Sequence, residues 1–296
     1  MTAREAVEKE KDRMNKMKAA FINFLPFGAS LEEIFRWLEK YAALGYKATE
    51  GGDFLLKEGD PAENVKRLED LGMKALVHGL PMMGLDISCV PDIVEKCNKT
   101  GIRWAATYAG CVGAYRFGMR PDAPGYDELM REVENLNAVA KELAKEGIVT
   151  TFHNHDAEFQ TLYQGKCALY HMVDNSEYLK FQVDTGWALY GHSDPVEVLE
   201  YVGDKLHSVH IKDWTYGNVS GPTFPGIPVD TNKAQNAMPH FTTPGNGFLP
   251  LRRVLKKASE MGIEYAIVEQ DFPDVLDNEN ILRAAYLNMK ETGYVE

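Results

Sequence analysis

Short apolar runs alternate with amphipathic helical segments along almost the whole chain. Eight such pairs can be counted, and this alternation is typical of a parallel α/β sheet. The candidate strands cover residues 18–25, 46–50, 74–78, 104–108, 149–153, 179–184, 206–212 and 265–269. Eight consecutive strand–helix units predict a (β/α)8 TIM barrel, with an open sheet of ordinary αβ linkages as the alternative.

Helix boundaries carry their own signals. Ser30 and Glu33 form a capping-box pattern, and Asp-Pro pairs beginning at Asp60 and Asp194 place proline at the first helical position. Glycines fall where helices should end, at Gly45, Gly72, Gly147, Gly262 and Gly293. Each helix is therefore expected to return the chain to the start of the next strand.

Three stretches depart from this regular pattern. Residues 216–247 are rich in Gly, Pro, Asn and Thr, have no period and exceed the usual connection length, so a lid or substrate loop is expected there. Residues 108–127 form a second long connection that would open on the same face. Residues 1–17 precede the first strand as an N-terminal extension, and the remaining chain is expected to form one barrel domain.

Four apolar runs stop at an ionisable residue: Glu158, Asp184, His210 and Glu269. Because the carboxyl ends of barrel strands meet on one face, where barrel enzymes keep their chemistry, these side chains are expected to converge. Carboxylates with one imidazole suit a divalent cation such as Mn²⁺ or Mg²⁺. A lone acid at a strand end is more often a helix cap or surface charge, but the shared placement favours a metal site.

The same segments offer further polar groups. His153 and His155 are expected on one strand face as substrate contacts or a general base, with structural hydrogen bonding as the alternative. His210 lies inside an apolar strand, where a histidine needs a partner. Lys212, two residues on, is expected to face the same way.

Other side chains are expected to contact a substrate. Glu50 and His78 end the second and third predicted strands, where they could bind hydroxyl groups. Trp187 and Trp214 offer apolar faces against which a sugar ring could pack, although many such aromatics belong to the core.

Charge and composition narrow the partners. The 296 residues include 44 acidic and 32 basic side chains, a formal net charge of −12, without a concentrated basic stripe. This disfavours tight binding to a nucleic acid and suits a small neutral or metal-bridged substrate. The four cysteines show no CxxC spacing, and no signal-like or membrane-spanning apolar run is present, so a cytoplasmic protein without a membrane partner is expected.

Five motifs, FHNHDAEF, VDTGWAL, SVHIKDW, TPGNG and IVEQD, resemble the sugar isomerase/epimerase family with the xylose isomerase-like TIM barrel. The resemblance runs from about residue 18 to the end. It implies one divalent cation, Mn²⁺ first and Mg²⁺ or Co²⁺ next, held by Glu158, Asp184, His210 and Glu269. The ketose epimerases of that family place a glutamate within the fifth strand, where this chain has histidines. His153 or His155 is therefore the replacement ligand if Glu158 has another role.

The resemblance also implies a reaction. A sugar, keto-sugar or polyol derivative would lose a proton next to its carbonyl, and the metal would hold the enediolate. The bases would be the two glutamates, Glu158 and Glu269, in an epimerase, or His155 in a lyase. Reprotonation gives an isomer or epimer. Expulsion of a substituent gives the lyase alternative, acting on a 3-keto-glycoside or an inosose.

The family is broad enough to leave other interpretations open. A nuclease is disfavoured by the net charge. A non-catalytic barrel that serves as a partner subunit stays open, because a metal site does not prove turnover. The family resemblance also implies a homo-oligomer, either a dimer or a tetramer, with a hetero-oligomer as the alternative.

Overall fold

The computed structural model describes residues 16–81, 85–215, 240–271 and 276–296. Eight parallel strands close into a barrel within these residues. We number the barrel strands β1 to β8. They are β1 Lys18–Phe21, β2 Ala48–Gly51, β3 Lys74–Gly79, β4 Trp104–Thr107, β5 Val149–His153, β6 Lys180–Asp184, β7 Leu206–Ile211 and β8 Tyr265–Val268.

Each strand pairs with the next along the chain, and β8 closes the barrel on β1 in the register Lys18↔Tyr265 to Phe21↔Val268. The predicted (β/α)8 TIM barrel is thereby confirmed, and the open sheet is excluded. Because all eight strands run parallel, their carboxyl ends share one face.

The predicted strands are all present, with ends that shift by a few residues. The largest difference is in β1, which ends at Phe21 although its apolar run continues to Leu25. The chain leaves the strand because Asn23 adopts a left-handed conformation, φ 67°. An apolar run does not show such a turn.

The helices surround the barrel and carry the predicted caps. Ser30 and Glu33 form both bonds of a capping box, and the side chains of Asp60 and Asp194 accept from the backbone N–H groups two residues on. The helices are α1 Leu31–Leu44, α2 Pro61–Asp70, α3 Val90–Thr100, α4 Cys111–Arg116, α5 Tyr126–Lys145, α6 Ala157–Gln160, α7 Ala168–Asp174, α8 Thr185–Tyr190, α9 Pro195–Val202, α10 Leu251–Glu260 and α11 Asn278–Thr292.

The long connections contain more structure than their composition predicted. The connection over 108–127 includes helix α4, and His240–Thr242 pairs antiparallel with Asp213–Thr215. The carboxylate of Asp213 accepts from the backbone N–H groups of Gly245, Gly247 and Leu249, which holds the TPGNG turn against β7. Most of the expected lid, 216–239, and residues 1–15 of the extension lie outside the described residues.

Apolar side chains fill the interior of the barrel below its carboxyl-end face. Ala20, Ala48, Trp104, Ala106 and Ile267 pack together there and are almost fully buried. A larger apolar layer lies between the strands and the helices. None of the helices among the described residues combines the length and hydropathy needed to span a lipid bilayer. Because the core fills the lower barrel, the polar side chains gather at the carboxyl-end face.

Candidate active site

Four buried side chains converge at the carboxyl ends of the last four strands. His153 ends β5, Asp184 ends β6, His210 lies near the end of β7, and Glu269 directly follows β8. One ligand atom from each of the four lies within 4.8 Å of those from the others. Strand register explains part of this, because Asp184 and His210 are direct partners across the β6–β7 pair.

The orientation of His153 is set by its neighbour on β6. His153 pairs with Gln182 in the strand register, and its Nδ1 lies 3.1 Å from Gln182 Oε1. Since an amide oxygen only accepts, Nδ1 carries the hydrogen and Nε2 keeps its lone pair. Nε2 faces Asp184 Oδ2 at 4.0 Å. Burial, followed by the charge of His210, holds the pKa of His153 well below its ordinary value, so its ring is neutral as a metal ligand must be.

His210 lies between two carboxylates. Its Nδ1 lies 2.6 Å from Glu269 Oε2 and its Nε2 lies 2.5 Å from Glu50 Oε2. Burial alone would lower its pKa, but the negative charges of Glu50 and Glu269 outweigh burial and raise it to about 10. Without a bound cation, His210 therefore donates from both nitrogens as an imidazolium.

Lys212 is fully buried beside the cluster. Its Nζ lies 3.1 Å from Asp184 Oδ2, 3.1 Å from Glu269 Oε2 and 2.9 Å from Asp271 Oδ2. Burial opposes its charge, but these carboxylates raise its pKa above the ordinary value. Gly186 allows this packing, because a Cβ there would lie 2.3 Å from the Lys212 carbonyl oxygen.

Carboxylates outnumber cations around the cluster. Two cations, Lys212 and His210, face four carboxyl groups: Glu50, Asp184, Glu269 and Asp271. The buried Asp184 Oδ2 makes no hydrogen bond, and Lys212 Nζ at 3.1 Å is its ion-pair partner. Burial, partly offset by Lys212, raises the pKa of Asp184 to about 7. A divalent cation would relieve this excess of negative charge, so the donor set of two imidazoles and two carboxylates fits such an ion.

The structure corrects the expected place of Glu158. This residue is not at a strand end; it lies in the short helix α6, five residues beyond the end of β5. Its Oε2 accepts from the backbone N–H of His155 at 2.7 Å, and its Oε1 lies next to Gly113 without a hydrogen bond. His153 takes the fifth-strand position in the cluster, because β5 stops there and the chain turns away before Glu158.

His155 lies beside the cluster and lines the cavity above it. Its ring packs 5.0 Å from that of His153 and 4.9 Å from that of Phe117, centroid to centroid. Its Nδ1 is buried without a hydrogen bond. Burial, with a contribution from the charge of Lys212, lowers the pKa of His155 to about 3, so the ring is neutral and can accept a proton.

Three further side chains also shape this region. Asn23 donates to Glu269 Oε1 at 3.0 Å and Tyr108 donates to Glu50 Oε1 at 2.7 Å. Gln182 donates to Glu50 Oε2 at 3.0 Å. Gln182 lies two residues before Asp184, so strand alternation places both on one face and could have identified it. No comparable sequence pattern identifies Asn23, because its position depends on a positive φ.

Glu50 and His78 do not face the cavity as expected. Glu50 is fully buried below the cluster, where it accepts from Tyr108 and Gln182 and holds His210. His78 is also fully buried, and its ring nitrogens are engaged by Asp53 in the loop after β2 and by Thr100 in α3. Both residues therefore support their neighbours and do not offer a free hydroxyl-binding group.

The two tryptophans are packed among other aromatic rings. Trp187 is 1% exposed and contacts His155, Tyr190 and Phe241. Trp214 donates from Nε1 to the carbonyl oxygen of Gly186 at 3.1 Å. Neither lines the cavity that opens over the cluster, so their expected stacking against a sugar is not supported by their positions.

This cavity has a volume of about 540 Å³. His153, His155, Glu269 and Asp271 form part of its wall, and residues from β1 to β4 and their loops form the rest. Its volume lies within the range of small-molecule sites, about 300–1,000 Å³. The geometry therefore joins a candidate metal site, two potential proton acceptors and an open substrate space.

Sequence and structure comparisons identify the family and the fold. The model of the xylose isomerase-like TIM barrel family matches residues 38–291. A search of curated proteins gave no match. A sugar phosphate isomerase/epimerase from Parabacteroides distasonis ATCC 8503 is similar in structure, with a TM-score of 0.66 and 19% identity over 95% of this chain and 96% of that chain.

Two other solved structures are similar to the same extent. A 3-keto-D-glucoside 4-epimerase from E. coli has a TM-score of 0.66 and 16% identity over 93% of this chain and 100% of that chain. A probable 3-DHS dehydratase from Bacillus anthracis has a TM-score of 0.65 and 13% identity over 93% of this chain and 98% of that chain. At these identities, the similarities establish a common fold alone.

Proposed function

The chain belongs to the xylose isomerase-like TIM barrel family, and from this premise we propose that it is a divalent-metal-dependent sugar isomerase or epimerase. The proposed substrate is a sugar, keto-sugar or polyol derivative that loses a proton from the carbon next to its carbonyl. The observation that carries the proposal is the convergence of His153, Asp184, His210 and Glu269 at the floor of an open cavity.

The proposed cofactor is one divalent cation held by these four residues. Two of the donors are imidazole nitrogens, so Mn²⁺ or Co²⁺ suits the set better than Mg²⁺, with Mn²⁺ as first choice. When bound, the cation would polarise the substrate carbonyl as a Lewis acid. Gln182 supports this role, because it holds the His153 ring with Nε2 free toward the site.

Glu269 is the proposed first base. Lys212 and His210 contact its Oε2, while Asn23 donates to its Oε1 at the cavity. Burial would raise its pKa, but the charges of Lys212 and His210 outweigh burial and hold it well below the ordinary value. Glu269 is therefore ionised at neutral pH and available to accept a proton at a carboxylate oxygen.

His155 is the proposed second base. It follows β5 whereas Glu269 follows β8, so the two groups reach the cavity from different strands. Its buried Nδ1 has no competing hydrogen bond within the described structure. Two acceptors placed this way could remove a proton and return one to the other side of the same carbon, which is the requirement for epimerisation.

The position of His155 also favours a second candidate, a lyase of the same family. A neutral histidine with a free ring nitrogen could remove the proton and then protonate a departing β-substituent of a 3-keto-glycoside or an inosose. The same cluster would serve both reactions. They differ only in the step after the first proton transfer.

Solvent deuterium incorporation tests the proposal. Native protein with Mn²⁺ in D₂O is incubated with ketoses, keto-glycosides and inososes, and isotope uptake is followed by NMR. We expect uptake that is lost in Glu269→Gln, reduced at least 10-fold in His155→Ala and retained within about threefold in Glu158→Gln. Released aglycone or an unsaturated product would select the lyase. An absence of uptake with every substrate and metal would overturn both candidates.

Several expectations from the sequence stay predictions. These are the cytoplasmic location, the single-domain organisation, the homo-oligomeric state and the lid over 216–247.

A further inference from the structure

We infer that the substrate of this site is an unphosphorylated saccharide that carries an apolar substituent. The saccharide would lie over the ionisable groups, and the substituent would lie against the opposite wall of the same cavity. This inference rests on the proposed function, since it specifies the substrate class of that site.

The cavity has two chemically different sides. The groups from β5 and β8 are ionisable: His153 ends β5 and His155 follows it, while Glu269 and Asp271 follow β8. The groups from β1 to β4 and their loops are mostly apolar. Because β1 to β4 are neighbours in the barrel, their contributions form one continuous wall.

The apolar wall is built from large side chains. It consists of Leu25, Ile34, Phe54, Val77, Phe117 and Met119. Met119 is 46% exposed, so the wall extends from the interior to the cavity mouth. The C–H face of a sugar ring could cover part of this wall, whereas an aromatic or aliphatic substituent would bury a larger apolar area against it.

The described side chains of the cavity carry no cation for a phosphate group. Among the described residues that line it, none is lysine or arginine, and Asp53, Glu269 and Asp271 add carboxylates. A phosphate group is normally held by Arg, Lys or backbone N–H groups at a helix N-terminus. A phosphorylated sugar would meet negative charge away from the metal position.

Three cations near the described part of the cavity are already paired. Lys212 contacts three carboxylates, and Arg116 bonds Asp156 at 3.0 Å. Lys96 Nζ lies 3.4 Å from Asp53 Oδ1, the same oxygen that His78 contacts. These contacts leave the cations occupied, so none of the three is available for a substrate phosphate without breaking an existing ion pair.

Equilibrium binding tests the inference without requiring turnover. Phenyl β-D-glucopyranoside, methyl β-D-glucopyranoside and D-glucose 6-phosphate are titrated into the Mn²⁺-loaded protein by calorimetry. We expect the phenyl glucoside to bind at least 10-fold more tightly than the methyl glucoside, and the phosphate to bind more weakly than either. Equal affinity for the two glucosides, tighter binding of the phosphate, or no binding of the phenyl glucoside at millimolar concentration would each overturn it.

A substitution in the wall provides a matched control. Met119→Lys adds a cation to the apolar wall at an exposed position and should reduce the preference for the phenyl group at least fivefold while strengthening phosphate binding. Met119→Leu keeps the apolar surface and should retain the native preference. If Met119→Lys binds all three compounds as the native protein does, the wall does not contact the substituent.

The two proposals fail in different ways. Preferential binding of the phenyl glucoside without deuterium exchange would overturn the proposed reaction and leave the assigned ligand class in place. Deuterium exchange with equal affinity for the two glucosides would overturn only the inference drawn from the apolar wall.

Discussion

Asn23 donates from Nδ2 to Glu269 Oε1 across 3.0 Å while its own backbone is left-handed, with φ 67°. Asparagine tolerates this conformation better than most residues, but the region is sparsely populated outside glycine. The turn ends β1 early and aims the amide at the proposed base. Backbone strain at this position therefore accompanies a contact in the candidate active site.

Replacing Asn23 should separate the hydrogen bond from the backbone conformation. We expect Asn23→Gly to keep the free energy of unfolding within about 0.5 kcal/mol, because glycine adopts positive φ freely, while deuterium exchange falls about 10-fold. Asn23→Ala should lose the same activity and also about 1 kcal/mol of stability. Urea unfolding and the exchange assay measure both. Equal activity in Asn23→Gly and native protein would exclude a positioning role for the amide.

Binding of Mn²⁺ should stabilise the folded chain through Asp184 and leave Glu158 uninvolved. At a free-ion concentration about 100 times the dissociation constant, the native free energy of unfolding should rise by about 2.7 kcal/mol. Asp184→Asn removes a ligand charge and should lose most of that rise, whereas Glu158→Gln should keep it. Urea unfolding with Mn²⁺ and with a chelator measures the difference. If Glu158→Gln lost this stabilisation and Asp184→Asn kept it, Glu158 would be a metal ligand and Asp184 would not.

Loss of the Lys212 ammonium should destabilise the metal-free chain strongly. Lys212→Met leaves Asp184, Glu269 and Asp271 without their shared cation, and breaking a buried ion pair costs about 3–5 kcal/mol. Mn²⁺ should restore part of this loss, since it supplies positive charge to the same carboxylates. The exposed Lys47→Met serves as a control and should change stability by about 0.5 kcal/mol at most. An equally stable Lys212→Met would contradict the buried charge network.

Glu158 should make stability depend on pH. Burial raises its pKa to about 7, above its ordinary value of 4.5. The folded state thus holds a proton that the unfolded state releases, so the stability associated with this group is present below pH 4.5 and lost as the pH rises to about 7. Glu158→Gln should match native stability near pH 4.5 and exceed it by about 1–3 kcal/mol at pH 8. Urea unfolding at both values checks this; equal differences at the two pH values would rule out a buried, titrating Glu158.

Much of the fold could be predicted because its signals are local. The capping box of Ser30 and Glu33 and the N-caps Asp60 and Asp194 act within one helical turn, and all are present. The alternation of apolar runs likewise identified all eight strands. Positions where the chain turns out of a strand were less visible, as at Asn23, because an apolar side chain does not report the backbone dihedral angles of its neighbours.

Part of the site could be predicted for the same reason. Asp184, His210 and Glu269 end apolar runs, and parallel strands bring such residues to one face. Glu158 followed the same apolar pattern, but β5 had already ended, and the short helix α6 carries it behind the cluster. The sequence left Glu158, His153 and His155 as alternatives for the fifth-strand ligand; the tertiary structure brings His153 into the cluster.

The sequence by itself therefore determined the barrel, the face on which chemistry would collect and three of the four converging side chains, because strand period and capping depend on neighbouring residues. Only the tertiary structure decided that His153 completes the cluster, that Lys212 forms ion pairs with its carboxylates and that Glu50 and His78 are buried supports. Those outcomes depend on distances across the barrel between residues far apart in the chain. Such distances follow from strand register and side-chain packing, which no local pattern contains.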